Sequence, residues 1–207
     1  MVATSDAVGR AELQSREREN ILKAAYRLIG RSPDSTVQVA EILEAASLST
    51  RAFYRHFRSK DELIITMYRT AAERVAVELS DVVAGADGPR AALEAWISHQ
   101  LAVVYDPRRA RQALVLSSPE ARSAVGFDQA NQHGTTVRRT ILAEVIRRGQ
   151  RDGTFPGATD PDEDARAVVS VVGGIVLARL AGEPVPAWAE ATRHITSLFL
   201  RAFTRSE

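Results

Sequence analysis

The chain has 207 residues, 45% of them hydrophobic and 26% charged, with a formal net charge of +1 and no cysteine. That length and balance fit one or two compact globular units, and no long stretch is poor enough in apolar residues to belong to a disordered chain. With no cysteine there is no disulfide, no thiolate metal site and no cysteine nucleophile, which suits a reducing compartment such as the cytoplasm.

Taken in chain order, the signals are almost all helical. The opening Met-Val-Ala-Thr-Ser-Asp lacks the basic and then apolar layout of a secretion signal. Residues 1–14 read as a flexible arm, and Arg10, Arg16 and Arg18 are candidates either for a minor-groove contact or for an exposed tail. Leu22, Ala25, Leu28 and Ile29 recur at helical spacing, predicting a helix from about Ser15 to Ile29 that Gly30 and Pro33 end. Ser35 with Gln38 makes a capping box for a second helix through Val39, Ile42 and Leu43 to about Ala45. A turn at Ala46-Ser47-Leu48 then leads to Ser49, the predicted N-cap of a third helix through Phe57. Ser59-Lys60-Asp61-Glu62 is another capping box, opening a long fourth helix through Leu63, Ile64, Met67 and Val75.

Beyond Gly85, proline at the first helical position becomes the recurring start signal, because its missing amide proton has no partner to lose there. Helices are predicted over about 89–104, 107–116, 119–125, 127–149 and 161–181, with a last one over about 187–204. Gly149 and Gly153 are expected to end the long one. No segment alternates with a two-residue period between hairpin turns, so the expected fold is all-α. The most apolar run, Val168 to Ala178, has about half the ~20 residues of a bilayer span, so no membrane partner is expected.

Charge is unevenly placed. Residues 1–60 carry ten Lys/Arg against seven Asp/Glu, and the remainder carry seventeen against nineteen. Between Ser47 and Lys60 lie Arg51, Arg55, Arg58 and Lys60 with no acid, interleaved with Phe53, Tyr54 and Phe57. A basic, aromatic third helix after two helices and a tight turn is the layout of a helix-turn-helix DNA reader, in which only the contacting face must be positive.

The stretch from about Arg18 to Tyr68 resembles the TetR/AcrR family of transcriptional regulators. The matching elements are Ile21-Leu22-Lys23-Ala24-Ala25, Thr36-Val37, and Tyr54-Arg55-His56-Phe57-Arg58-Ser59-Lys60-Asp61-Glu62-Leu63. The chain departs from the family pattern at Ser47, where glycine is usual, at Val39-Ala40 and at Arg51-Ala52. The resemblance implies an N-terminal three-helix DNA-binding head over 15–60. It also implies a larger helical effector-binding and dimerisation domain over 61–207.

A recognition helix presents its first turns to base edges, which places Ser49, Thr50 and Arg51 there, with Arg55 one turn further on the same face. Tyr54, His56 and Lys60 resemble the family's phosphate clamps, and Thr36 adds a contact at the start of the second helix. Phe53 and Phe57 are expected in the core. Arg58 fits either a phosphate contact or a solvated face.

In the last two helices, Val168, Val172, Ile175, Val176, Ile195, Leu198, Phe199 and Ala202 form an apolar surface that the resemblance implies pairs two copies of the chain as a four-helix bundle, the alternative being a core within one chain. Gly173 and Gly174 suggest a close backbone approach there. Trp96, His99, Tyr105, Phe127, Asn131 and His133 are candidate contacts for a small, largely hydrophobic effector, although each also fits core or surface. The four histidines lack the spacing of a metal site, and no cofactor or metal is expected. No Gly-x-Ser-x-Gly elbow or phosphate-cradling glycine loop supports an enzyme.

The expected partners are therefore a double-stranded DNA operator, a small-molecule effector and a second copy of the chain. The expected function is a ligand-responsive repressor. The competing reading is a helical protein-interaction module whose helix-turn-helix no longer binds DNA.

Overall fold

Three capped helices near the amino end set the geometry of everything that follows. The computed structural model describes residues 2–31, 36–155 and 159–204, with the side chains of residues 2–8, 10, 203 and 204 outside that description. Among the described residues there are ten helices: α1 (Val2–Arg31), α2 (Val39–Ala46), α3 (Thr50–His56), α4 (Lys60–Ala84), α5 (Gly88–Tyr105), α6 (Pro107–Leu116), α7 (Pro119–Ser123), α8 (Phe127–Arg151), α9 (Pro161–Leu180) and α10 (Trp188–Thr204). None is long and apolar enough to cross a membrane.

The first helix begins at Val2, not near Ser15 as the apolar spacing predicts. Residues 9 and 11–16 are exposed, Leu13 by 57%. A periodicity search finds only helices that bury something.

The start predicted at Ser35 for α2 lies outside the described residues. The described helix opens three positions later, with Gln38 as N-cap and its backbone N–H donating to Glu41 Oε2 at 2.6 Å. At the other end Ser47 is left-handed (φ 55), its amide donates to Glu44 O at 3.1 Å, and the Leu48 amide donates to Leu43 O at 3.0 Å. Those paired bonds form a Schellman stop. Serine accepts there a backbone conformation that costs a non-glycine residue roughly 1–2 kcal/mol.

Ser49 caps α3 as expected, its Oγ accepting the Ala52 amide at 3.3 Å. Ser59 Oγ likewise accepts the Glu62 amide at 3.1 Å, but Glu62 Oε2 reaches the Arg58 amide at 2.6 Å and not that of the cap residue.

The chain divides into two units. The first comprises residues 1–69 and 114–130, the second 70–113 and 131–207, so the chain passes between them within α4, α6 and α8. The expected boundary after residue 60 is therefore displaced by nine residues, and a distant segment joins the head.

The head's core gathers Ile21, Ala25, Ile42, Leu43, Phe53, Phe57, Leu63 and Met67 with Val115 from the returning segment. A second cluster joins Ile64 and Ile65 to Ala121, Ala124 and Ala130. Phe53 and Phe57 are buried, as their spacing predicts, with ring centroids 5.7 Å apart.

The second unit packs α5, α8, α9 and α10 around Leu93, Trp96, Ile97, Leu142, Ile146, Val168 and Ile195. Gly149 does not end α8, which continues to Arg151. Its role is steric: a Cβ there would lie 2.1 Å from Phe155 Cδ2, and the Phe155 amide donates to the Gly149 carbonyl at 2.9 Å. Gly149→Ala is accordingly expected to destabilise this unit by about 1–3 kcal/mol through overpacking, read as a lower urea midpoint.

The apolar residues of α9 and α10 need a correction. Val168 (0% exposed), Val172 (3%), Ile195 (1%) and Phe199 (8%) belong to the unit's own core, and Ile175 packs partly against it. They are consumed within one chain and are not free for a partner. Apolar residues stand on both faces of α9, and spacing alone does not say which of them turn inward. The outward apolar residues are Val171, Leu177 and Leu198, with Ala202 exposed beside them and Val176 half-buried. An added Cβ on Gly173 or Gly174 meets nothing within 4 Å, so no close approach inside this chain explains either glycine.

Candidate nucleic-acid interface

Capping by Ser49 and burial of Ala52 and Phe53 orient α3 so that its other side faces solvent. Thr50, Arg51, Tyr54 and Arg55 all lie on that exposed side, and Thr36 is exposed just before α2. Tyr54 is 61% exposed, its ring held edge-on against Phe53 at 5.4 Å between centroids. A short rigid helix thus offers an arginine at its first turn and a phenol held at a fixed angle beside it. Ser49 is also exposed, but its hydroxyl is occupied by the cap.

Three basic side chains of this stretch, His56, Arg55 and Lys60, are engaged within the protein. His56 Nε2 lies 2.9 Å from Glu17 Oε2, and its side chain is only 7% exposed. Arg55 Nη1 lies 3.5 Å from the same carboxylate oxygen. Glu17, on α1, therefore braces the last turn of α3 from behind, and His56 faces α1 more than it faces solvent. Lys60 Nζ donates to the Val37 carbonyl at 2.9 Å and pairs closely with Glu120 of α7, whose side chain is 7% exposed. Neither carboxylate could be found from sequence, because each lies about 40 to 60 residues from its partner with no periodic relation to it.

Within the second unit a cleft of about 600 Å³ is lined by Val82, Ala95, Ser98, His99, Ala102, Tyr105, Asp106, Pro107, Arg109 and Trp188. Of the six effector candidates, the structure brings His99 and Tyr105 into this cleft. Trp96 is a core residue at 1% exposure, donating Nε1–H to the Arg138 carbonyl at 3.2 Å. Phe127 belongs to the head, edge-on to Tyr68 at 5.3 Å. Asn131 and His133 are exposed on α8.

His99 Nε2 lies 3.2 Å from Glu78 Oε2 and 3.3 Å from Arg109 Nη1, while Arg109 Nη2 pairs with that same glutamate oxygen at 3.0 Å. Burial pushes the imidazole below its ordinary value. The bond to Glu78 opposes that shift, and the neighbouring Arg109 charge adds to it. Sequence reading missed Trp188, which closes one side of the cleft and donates Nε1–H to the Ser98 carbonyl at 3.1 Å.

Among solved structures, the fatty acid degradation regulator FadR from Bacillus halodurans is similar at a TM-score of 0.76 and 15% identity, over 92% of this chain and 97% of that one. FadR from Bacillus subtilis, in complex with stearoyl-CoA, gives 0.74 at 14% identity over 88% and 97%. NalD, the secondary repressor of the MexAB-OprM multidrug efflux pump in Pseudomonas aeruginosa, gives 0.70 at 18% identity over 93% and 100%. At such identities the likeness is one of fold. No curated protein matches the chain in sequence. Residues 21–67, which hold α2, α3 and the start of α4, match the sequence profile of the bacterial regulatory proteins of the tetR family. The match covers 47 of the 207 residues and marks residues 21–67 as an amino-terminal domain of the tetR type.

Proposed function

We propose that this regulator binds a palindromic operator as a homodimer, represses from it, and leaves it when a small, largely hydrophobic effector occupies the second unit. The observation that carries the DNA reading is the solvent-facing side of α3, where Thr50, Arg51 and Tyr54 stand exposed beside a buried Ala52 and Phe53.

Arg51 is the base reader in this reading, since a guanidinium can bond guanine through two hydrogen bonds. Tyr54, Thr36 and Lys60 hold the phosphates, and Arg55 stands one turn beyond Arg51 on the same face. One seven-residue helix covers too few bases for tight specific binding, which is the physical reason for two copies reading two half-sites. The outward strip of α9 and α10, with Val171, Leu177, Leu198 and Ala202 around the open Gly174, supports the pairing surface.

The cleft at His99 and Tyr105 supports an effector site, being mostly apolar with a few polar groups. A stearoyl-CoA complex of one structurally similar regulator, and the repressor role of another, fit an apolar ligand and negative control.

Selection of bound sequences from DNA upstream of the chain's own coding region tests the reading. The wild type is expected to enrich a two-fold symmetric site. Arg51→Ala is expected to lose base preference at one symmetric pair of positions, by about 1–3 kcal/mol per half-site. Failure of the wild type to bind any such fragment at low salt would return the protein-interaction alternative.

A further inference from the structure

Glu120 occupies an unusual position for an acid. It sits on the first turn of α7, in the part of the chain that returns to the head after α6, and its side chain is 7% exposed. One carboxylate oxygen pairs with Lys60 Nζ, and the other lies 3.5 Å from the Val37 backbone amide. Those two donors flank the entrance of α2, next to the exposed Thr36. An ammonium and a backbone N–H converging on one anion are also the groups that hold a phosphate oxygen.

We propose that Glu120 is an internal stand-in for a DNA phosphate, occupying in the free protein the position that Lys60 and the Val37 amide offer to the duplex backbone. This inference rests on the DNA-binding reading above. Its physical consequence is an exchange. Lys60 has three donor protons, and one is committed to the Val37 carbonyl at 2.9 Å. When a phosphate takes the ammonium, Glu120 keeps only the distant Val37 amide, and a nearly buried carboxylate without a cation is unstable where it stands. The carboxylate must then move toward water and take the short helix α7 with it. Lys60 thus binds DNA to the extent that α7 releases it.

The test compares wild type, Glu120→Gln, Lys60→Gln and the double variant on a fluorescent random-sequence duplex, where phosphate contacts dominate. Glu120→Gln keeps an oxygen for the Val37 amide but withdraws the charge. It is expected to bind roughly tenfold more tightly than wild type, and the gain is expected to vanish when Lys60 is also replaced. Unchanged or weaker binding by Glu120→Gln makes Glu120 a structural tie and overturns the proposal. A gain that persists without Lys60 reflects general charge removal and overturns it too.

Hydrogen exchange on the wild type supplies a readout that does not depend on any variant folding. Added duplex is expected to speed exchange over residues 119–123 while slowing it in α3. Bound DNA with unchanged or slowed exchange over 119–123 overturns this inference alone. A wild type that binds no duplex at any salt overturns the DNA reading and this inference with it.

Discussion

Trp96→Ala is expected to destabilise the second unit by about 3–5 kcal/mol, enough to consume much of the stability of an ordinary domain. The indole is 1% exposed at the centre of a cluster with Leu93, Ile97, Leu142 and Ile146, so truncation leaves a cavity that helices on several sides cannot all collapse into. It also removes the Nε1–H that satisfies the Arg138 carbonyl at 3.2 Å. Urea unfolding followed by circular dichroism checks the size of the loss, and fluorescence checks its place. The chain has two tryptophans, and the other, Trp188, is 44% exposed, so the variant's emission should shift to the red. Trp96→Phe restores volume without the donor and should recover most of the loss. A Trp96→Ala variant that unfolds at the wild-type urea concentration would show the indole to be an effector contact on an adaptable wall, and not part of the core.

The second large effect is expected from Leu177→Glu combined with Leu198→Glu. These leucines are 66% and 41% exposed, so two carboxylates there cost the isolated fold little. In the proposed dimer they would bring like charges into a desolvated seam from both copies. Sedimentation equilibrium should show the monomer mass. Operator affinity should fall by about 100-fold or more, the scale of the advantage that linking two binding modules confers. Retention of the dimer in this variant would place the pairing surface elsewhere. Val168→Glu, by contrast, puts a charge into a position that is 0% exposed and would report only on folding.

The contrast between Leu198 and Val168 shows where sequence reading runs out. Helix starts are legible where a serine cap or a proline marks them, although Gly149 does not stop α8 and α2 opens at Gln38. Ser49 and Ser59 use their hydroxyls, and Pro89, Pro107, Pro119 and Pro161 stand at or beside the first residue of their helices, so observed starts from α5 onward fall within about one residue of those expected. Caps and prolines act over three or four residues, and a linear reading sees that far.

Facing partners are a different matter. Nothing local in Lys60 reveals Glu120 sixty positions away, and nothing local in His56 reveals Glu17. Both side chains therefore read as free clamps, and the structure shows each one paired with a carboxylate. Trp96 and His99 lie three positions apart on α5, yet one is sealed in the core and the other opens on the cleft, a difference set by which helices pack across them. The α1 extension ahead of Ser15 escaped for the opposite reason, since residues 9 and 11–14, which are described there, are all exposed and carry no buried stripe.

The division of the head between residues 1–69 and 114–130 has a consequence for synthesis. At ~5–20 residues per second, roughly 3–12 seconds separate the emergence of Arg69 from that of Ala130. During that interval the growing polypeptide already carries α3, but Ile64 and Ile65 still lack Ala121, Ala124 and Ala130 to cover them. A ribosome stalled after α4 would hold a sticky, unfinished reader, and chaperones should meet this protein at that moment more than at any other.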